Sequence, residues 1–367
     1  MSSPDNRLPA ESPNNASNSN AAGSISEDRT ELVRLEKLEI GYGQGRKRKS
    51  IAGKMNCNVF GGELVSLMGR NGSGKSTLLR TIAGLQHPVR GRIMIEGRAQ
   101  EEYHRMDLAR MLGFVSTEVV RVQGLRVRDL VAMGRYPHTG WFGSLSAGDQ
   151  DQIDRAIELT SLGSLVERDL DELSDGERQR AMIARTLAQD TRIMVLDEPT
   201  AFLDITHRHE ITLLLGELAR EHGKTIIFSS HDLQLSLKQA DKIWLIQEDG
   251  IVEGAPEDLV LNGKLEEGLL QDNASGGLKM DPHTGDLEMH KEFKHVVSLT
   301  AGSDEIRAWT IRSLERSGIR VEENKKHPVH VFAKKRQDES TWRVEEEGRE
   351  TDFKSIYDLS LYLRTIL

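Results

Sequence analysis

Cysteine is nearly missing from this sequence: Cys57 is the only one in 367 residues. No intramolecular disulfide can form, so covalent staples contribute nothing to the fold. The composition suits a reducing compartment, which makes the cytoplasm the expected location. Long apolar runs are missing as well. No stretch approaches the roughly 18–20 consecutive apolar residues that cross a bilayer, and the best of them, such as Ile243-Trp244-Leu245-Ile246, have only strand length. The first residues carry neither the basic start nor the apolar centre of a secretory signal. They are rich in Ser and Asn with Pro4, Pro9 and Pro13, and residues 1–29 are expected to form a disordered tail. An excess of positive charge is the third absence. At a net charge of −9 the chain lacks the basic surface of a nucleic-acid binder, and the cluster Arg46-Lys47-Arg48-Lys49 reads as a solvated turn. What remains is a chain long enough for more than one core, so two domains plus tails are expected.

The most informative stretch is Gly69-Arg70-Asn71-Gly72-Ser73-Gly74-Lys75-Ser76-Thr77, entered from the apolar run Leu64-Val65-Ser66-Leu67-Met68 and left through Leu78-Leu79-Arg80-Thr81-Ile82. It fits the phosphate-binding loop G-x-x-x-x-G-K-[ST] in full. The glycines let the backbone curl so that successive N–H groups point inward, and the following helix puts its positive end against the same anion. Lys75 would reach the β- and γ-phosphates, and the Ser76 hydroxyl would be a ligand of the Mg²⁺ that bridges them.

Upstream, the alternation of apolar and charged residues over Leu32–Ile40 predicts a half-buried strand, with a slip at Glu36-Lys37 that calls for a bulge or short turn. Tyr42 follows in Gly41-Tyr42-Gly43; by itself it is a surface tyrosine at a strand end. Beyond the loop, Gly91–Gly97 reads as a short strand between glycine turns, and Arg110–Val115 leads into another. From Leu125 to Leu165 the period becomes helical: Val127, Leu130 and Val131 share one face, and Ile153, Ala156, Ile157 and Thr160 another. This predicts an inserted helical subdomain in which Tyr136-Pro137-His138-Thr139-Gly140 is a loop.

Three more patterns carry chemistry. In Leu173-Ser174-Asp175-Gly176-Glu177, Ser174 can cap a helix and Glu177 completes a capping box. The buried run Ile193-Met194-Val195-Leu196 ends in Asp197-Glu198-Pro199, two carboxylates at the strand edge where ligands of α/β sheets sit. Asp197 would hold Mg²⁺ and Glu198 would act as general base on water. A second apolar strand, from Thr225, ends in His231, whose imidazole could reach the γ-phosphate if the two strands are neighbours. Lys242–Ile246 and Ile251–Gly254 form a hairpin closed at Asp249-Gly250.

Phosphate loop, L-S-D-G-E, Asp-Glu-Pro strand and strand-end histidine in this order resemble the ATP-binding subunits of ABC transporters. The resemblance covers about residues 31–262. Met133-Gly-Arg-Tyr-Pro-His138 and Pro199-Thr-Ala-Phe-Leu-Asp204 look like the subgroup that energises uptake of iron chelates, haem and cobalamin. The resemblance implies a P-loop NTPase of the ABC type, an α/β mixed-sheet core plus helical subdomain. It implies ATP and Mg²⁺ as ligands, hydrolysis with Glu198, His231 and Lys75 as the catalytic set, and residues 69–77 as the triphosphate cradle. It makes Tyr42 the ring that stacks on adenine, Asp204 the residue signalling between sites, and Ser174, Asp175, Gly176 and Glu177 the loop that meets the nucleotide of a second copy in a head-to-tail dimer. The partners it implies are that second copy, polytopic permease subunits and, indirectly, a substrate-binding protein. The place it implies is the cytoplasmic face of the inner membrane, held peripherally. A soluble ABC ATPase working as a nucleotide-gated clamp or regulator is the other reading.

Two departures from the family pattern stand out. Asp175 and Glu177 replace the usual Gly and Gln, adding negative charge where a triphosphate should dock. Thr117 falls where a glutamine normally follows the strand; the resemblance places it beside Mg²⁺ and the attacking water, with a hydroxyl shorter than the usual amide. The boundaries expected are an ABC domain over 30–262 with its helical subdomain at about 105–172, a linker over 263–302, and a small α/β appendage over 303–367. In the appendage a helix starts at Ser303 and ends near Gly318. Strands follow at Val329–Ala333, Thr341–Glu345 and Thr351–Lys354, and a last helix has Ile356, Leu359, Leu363 and Ile366 on one face.

Overall fold

A computed structural model describes residues 29–42, 49–117, 122–140, 143–270, 278–281, 284–289, 293–322, 327–336 and 339–367. The expected tail, apart from Arg29, and the basic residues Arg46-Lys47-Arg48 lie outside the described residues. The chain divides into two compact units, one ending at Leu269 and the other starting at Leu270.

In the first unit the elements run β1 (Glu31–Tyr42), β2 (Lys49–Phe60), β3 (Leu64–Met68), α1 (Lys75–Ile82), β4 (Arg90–Ile95), β5 (Arg98–Ala99), α2 (Arg105–Met111), β6 (Leu112–Val115), α3 (Val127–Ala132), α4 (Ala147–Leu159), α5 (Asp175–Ala188), β7 (Ile193–Leu196), α6 (Ile205–Arg220), β8 (Thr225–Ser229), α7 (Leu233–Gln239), β9 (Lys242–Gln247), β10 (Gly250–Gly254), α8 (Pro256–Leu261) and α9 (Lys264–Leu270). They build an antiparallel sheet in the order β2-β1-β4-β5 and a larger sheet in the order β10-β9-β3-β8-β7-β6. The larger sheet is parallel apart from β10, which pairs back on β9 through the Asp249-Gly250 turn. Every residue of β3, β7 and β8 is buried, as central strands covered on both faces require.

The slip in β1 is a bulge. Lys37 takes φ 46° and its N–H donates to Asn56 Oδ1 at 2.9 Å. The extra residue resets the alternation, so Val33, Leu35, Leu38 and Ile40 all enter one core.

The helical subdomain packs α3, α4 and α5 around Val127, Leu130, Val131, Ile153, Ala156 and Ile157. The stretch expected to be a loop at 136–140 is instead mostly ordered as a 3₁₀ helix, Met133–His138. Tertiary bonds impose those turns on a Gly- and Pro-containing segment. Gly134 lies so close to α5 that a Cβ would collide with the Arg185 carbonyl. Arg135 is buried; its Nε donates to Asp149 Oδ1 at 2.8 Å and its Nη1 to the Ala188 carbonyl at 2.7 Å. Asp149 also closes the capping box of α4 with Ser146, and hydrogen bonds from Ser146 and then Arg135 bring its carboxyl pKa down to about 2.

The second unit contains a two-stranded hairpin, β11 (Leu278–Met280) with β12 (Leu287–Met289). Then come β13 (His295–Ala301), α10 (Asp304–Arg316), β14 (Ile319–Glu322), β15 (Val329–Arg336), β16 (Glu339–Glu346), β17 (Arg349–Phe353) and α11 (Ile356–Ile366). Its main sheet has the order β14-β13-β15-β16-β17, with β13 parallel to both neighbours. Ile306 and Leu314 of α10 and Leu359 and Leu363 of α11 pack on Val297, Leu299, Val331 and Val344. The expected linker at 263–302 is corrected here: α9 completes the first unit, and β13 is an interior strand of the second. Its seven residues are embedded in Gly-, Asp- and Lys-rich sequence, and β14 is only four residues long, so neither shows a clear period.

Removing one partner of the buried Arg135–Asp149 pair leaves an uncompensated charge. Arg135→Ala is therefore expected to lower unfolding stability by about 3 kcal/mol, measured by urea denaturation. Because the folded pKa of Asp149 lies below its ordinary 3.8, its contribution is complete above that value and lost as pH falls toward about 2. The stability gap between wild type and Asp149→Asn should close over that same window.

Candidate active site

β6, β7, β8 and β3 run in parallel, so their carboxyl ends deliver Thr117, Asp197-Glu198, Ser230-His231 and the glycine loop to one edge of the sheet. The loop turns through Gly69 (φ 149°), Gly72 (φ 78°) and Gly74 (φ 99°). At Gly74 there is no room for a side chain either, since a Cβ would lie 2.9 Å from Ile40 Cδ1. Lys75 opens α1 and is buried; its Nζ donates to the carbonyls of Gly69 at 3.0 Å and Arg70 at 3.2 Å. Burial pushes its ammonium pKa down, and the charges of Glu198 and Asp197 pull it back up. Ser73 Oγ is buried inside the loop and has no hydrogen-bond partner among the described residues. An orphaned hydroxyl within a cradle of N–H groups and beside an ammonium suits phosphate oxygens.

Across from the loop, Ser76 Oγ donates to Asp197 Oδ1 at 2.9 Å, and Ser229 Oγ donates to the same oxygen at 3.0 Å. Ser229 Oγ also accepts the Glu198 N–H at 2.8 Å. Glu198 takes φ 47°, a left-handed conformation that is uncommon for a residue with a side chain. His231 Nε2 donates to Glu198 Oε1 at 2.7 Å. Thr117 Oγ1 donates to the main-chain oxygen of Asp197 at 3.0 Å rather than to either side chain of the Ser76–Asp197 pair. No group of three His, Cys, Asp or Glu among the described residues could hold a metal alone. One hydroxyl and one carboxylate beside a phosphate cradle fit Mg²⁺, which keeps waters and shares its shell with substrate phosphates.

Ser229 is the residue that sequence reasoning missed. The available signal was Ser229-Ser230 at the end of an otherwise apolar buried strand, where burial alone would favour Val or Ile.

The remaining expected residues form two further groups. Tyr42 is exposed, and its hydroxyl lies 2.8 Å from Thr77 Oγ1, which tethers the ring beside α1. Ser174 caps α5 with the expected box: Glu177 N–H donates to Ser174 Oγ at 3.3 Å, and Glu177 Oε2 accepts Ser174 N–H at 2.8 Å. The Ser174 N–H foremost, and then the Ser174 hydroxyl donating to the same Oε2 at 2.8 Å, hold the Glu177 carboxyl below its usual range. Asp175 pairs with Arg178 Nη1 at 2.8 Å. Gly176 lies against the His207 ring, which would collide with any Cβ there, and His207 Nδ1 donates to Asp204 Oδ2 at 2.9 Å. Asp204 in turn caps α6. The structure thus joins the signature loop to Asp204 within one chain. Among the described residues it makes no hydrogen bond from Ser174, Asp175, Gly176 or Glu177 to the phosphate loop.

Residues 52–201 match a family model described as ABC transporter, and residues 294–364 match one described as Iron ABC transporter C-terminal domain. The ferric enterobactin transport ATP-binding protein FepC of Escherichia coli is 37% identical over 228 residues, 62% of this chain and 83% of that protein. The chain belongs to the ABC transporter ATP-binding proteins. The petrobactin import ATP-binding protein FpuD of Bacillus anthracis is 38% identical over 228 residues, 62% of this chain and 82% of that protein. Among solved structures, the dimeric post-hydrolysis cassette MJ0796 with ADP and Pi has a TM-score of 0.54 at 26% identity, covering 61% of this chain and 99% of that one. CbiO1 of Clostridium perfringens has a TM-score of 0.57 at 26% identity, covering 64% and 93%. As an ABC ATPase the chain binds nucleotide and hydrolyses ATP. No helix among the described residues is long and apolar enough to cross a membrane.

Ser229→Ala removes the two bonds that Ser229 makes to the Asp197-Glu198 pair, leaving those from Ser76, Thr117 and His231. At about 1 kcal/mol or more for each bond, ATP hydrolysis measured by phosphate release should fall roughly tenfold or more. Nucleotide affinity, measured with a fluorescent analogue, should stay within about threefold because the loop and Lys75 are untouched.

Proposed function

We propose that this ATPase energises import of an iron chelate, haem or cobalamin through a separate membrane permease, docked peripherally on the cytoplasmic face. The observation that carries the reading is the pairing of an ABC cassette with a segment matching the iron-transporter C-terminal family in one chain. The import functions named for FepC and FpuD agree with it.

In this reading the Tyr42 ring stacks on adenine, while the amides of residues 69–77 and Lys75 hold the triphosphate. Ser76 and Asp197 hold Mg²⁺, which when bound neutralises phosphate charge. Glu198 accepts the proton of the attacking water, and its alignment is fixed by the 2.7 Å bond from His231 and by its amide on Ser229. His231 is also the γ-phosphate contact. Thr117, anchored to the Asp197 carbonyl, ties the segment after β6 to the active edge through main chain rather than through an amide side chain.

A second copy supplies Ser174 and Gly176 to each nucleotide. The helix terminus of α5 can face a triphosphate despite its two acids, because Arg178 neutralises Asp175 and Glu177 is turned back into its own cap. Asp204 is flanked by Phe202 and Ile205, 83% and 75% exposed, large apolar residues that a partner copy would cover.

Glu198→Gln tests the chemistry and the assembly together. Hydrolysis is expected to drop by about a hundredfold or more, and light scattering after addition of Mg-ATP should report a dimer. A variant that hydrolyses ATP normally overturns the base assignment, and one that stays monomeric overturns the shared site. Pull-down of the wild-type chain from detergent-solubilised membranes should bring a polytopic permease; recovery without one favours the soluble-regulator reading.

A further inference from the structure

The second unit carries a cavity that the ATPase reading does not use. It has a volume of about 370 Å³ and lies between α10, the β15–β16 pair and the start of α11. That volume falls in the range of small-molecule sites, about 300–1,000 Å³. Two of its walls are indoles: Trp342, buried, and Trp309, 60% exposed. Trp309 thus leaves a large aromatic surface open at the mouth of the cavity.

The lining is also strongly cationic, in a chain whose net charge is −9. Arg312, Arg316 and Lys335 face one carboxylate, Glu305, and that carboxylate is already taken by Lys335 at 2.8 Å. Arg312 sits over the Trp309 ring with Cζ 5.5 Å from the centroid, and Arg316 donates to Ser313 Oγ at 3.4 Å. Neither guanidinium has a carboxylate partner among the described residues. The neutral polar groups of the floor are satisfied by one another: Trp342 Nε1 donates to Thr310 Oγ1 at 2.9 Å, and Ser313 and Ser360 hydroxyls are 2.9 Å apart. What the cavity offers a ligand is therefore two guanidiniums without a carboxylate partner, beside the open Trp309 ring and the edge of the cavity formed by Trp342. Positions 305, 309, 312 and 316 recur at helical spacing, so α10 presents this set along one stripe.

We propose that this cavity binds a small planar anion, of the aryl carboxylate class, with its ring against Trp309 and Trp342 and its carboxylate on Arg312 and Arg316. A guanidinium fork matches a carboxylate in geometry and charge, and indole surfaces lining a cavity favour a flat aromatic ring over an extended aliphatic chain. The site is contained in the second unit and does not depend on the transport reading.

The test uses the full-length protein and calorimetric titration with 2-naphthoate. Its neutral counterpart 2-naphthalenemethanol supplies the ring without the charge, and acetate supplies the charge without the ring. One naphthoate per chain is expected, with both controls binding at least tenfold more weakly. Arg312→Gln and Arg316→Gln, in side chains that need not hold the fold together, should each weaken naphthoate binding about tenfold while circular dichroism stays unchanged. Lys75→Ala should leave naphthoate affinity unaltered. Equal binding of the alcohol, indifference to both arginine substitutions, or loss of binding in Lys75→Ala would each overturn the proposal, the last by moving the anion to the phosphate loop.

Discussion

One carboxylate oxygen, Asp197 Oδ1, is where three elements of the cassette meet. Ser76 reaches it from the first turn of α1 and Ser229 from the end of β8, while Asp197 itself ends β7. Such a junction is possible only because the strands are parallel and the sheet order puts β8 between β3 and β7. Every other group of the site is measured from it. Ser229 turns the next residue, Glu198, through its strained backbone angle, and Glu198 then meets His231 on the loop that leaves β8. Thr117 ties the neighbouring strand to the same residue through its carbonyl. A network of mutually satisfied polar atoms, buried at Asp197 and Ser229, holds catalytic groups in one arrangement, which phosphoryl transfer by positioning requires.

The parts of this arrangement that could be read from the sequence were those in which local chemistry and global fold agree. The phosphate loop, the capping box at Ser174 and the acid-ended strand at Ile193–Leu196 each specify their own geometry. The same holds for the helical faces of α3 and α4. The bulge at Lys37 was legible because one slipped position disturbs an otherwise regular alternation. Ser229 was not, since a serine ending a buried strand becomes meaningful only once two other strands place acceptors beside it. The 3₁₀ helix at Met133–His138 escaped for a related reason. Its Gly and Pro point to a loop, and only the long-range bonds of Arg135 and His138 to α4 and the end of α5 make it regular. In the second unit β13 was lost in a polar neighbourhood, although it is an interior strand of that sheet.

The unusual acids of the signature loop lose much of their force once their contacts are known. A count of charges at 174–177 suggests repulsion of a nucleotide, whereas each carboxylate is engaged, one by a guanidinium and one by its own helix start. Formal charge read along a chain overstates the field when the carboxylates are already paired or hydrogen-bonded within the protein.

Gly176 has a role that a loop motif does not advertise. The imidazole of His207 rests on its bare Cα while holding Asp204 by the ring nitrogen, so the glycine serves as the seat of a small lever. Any methyl group there would tip the ring and break its bond to the aspartate, which keeps the cap bond from the His207 amide. The two positions are therefore bound to a common fate: tolerance for bulk at 176 would first require a smaller residue at 207.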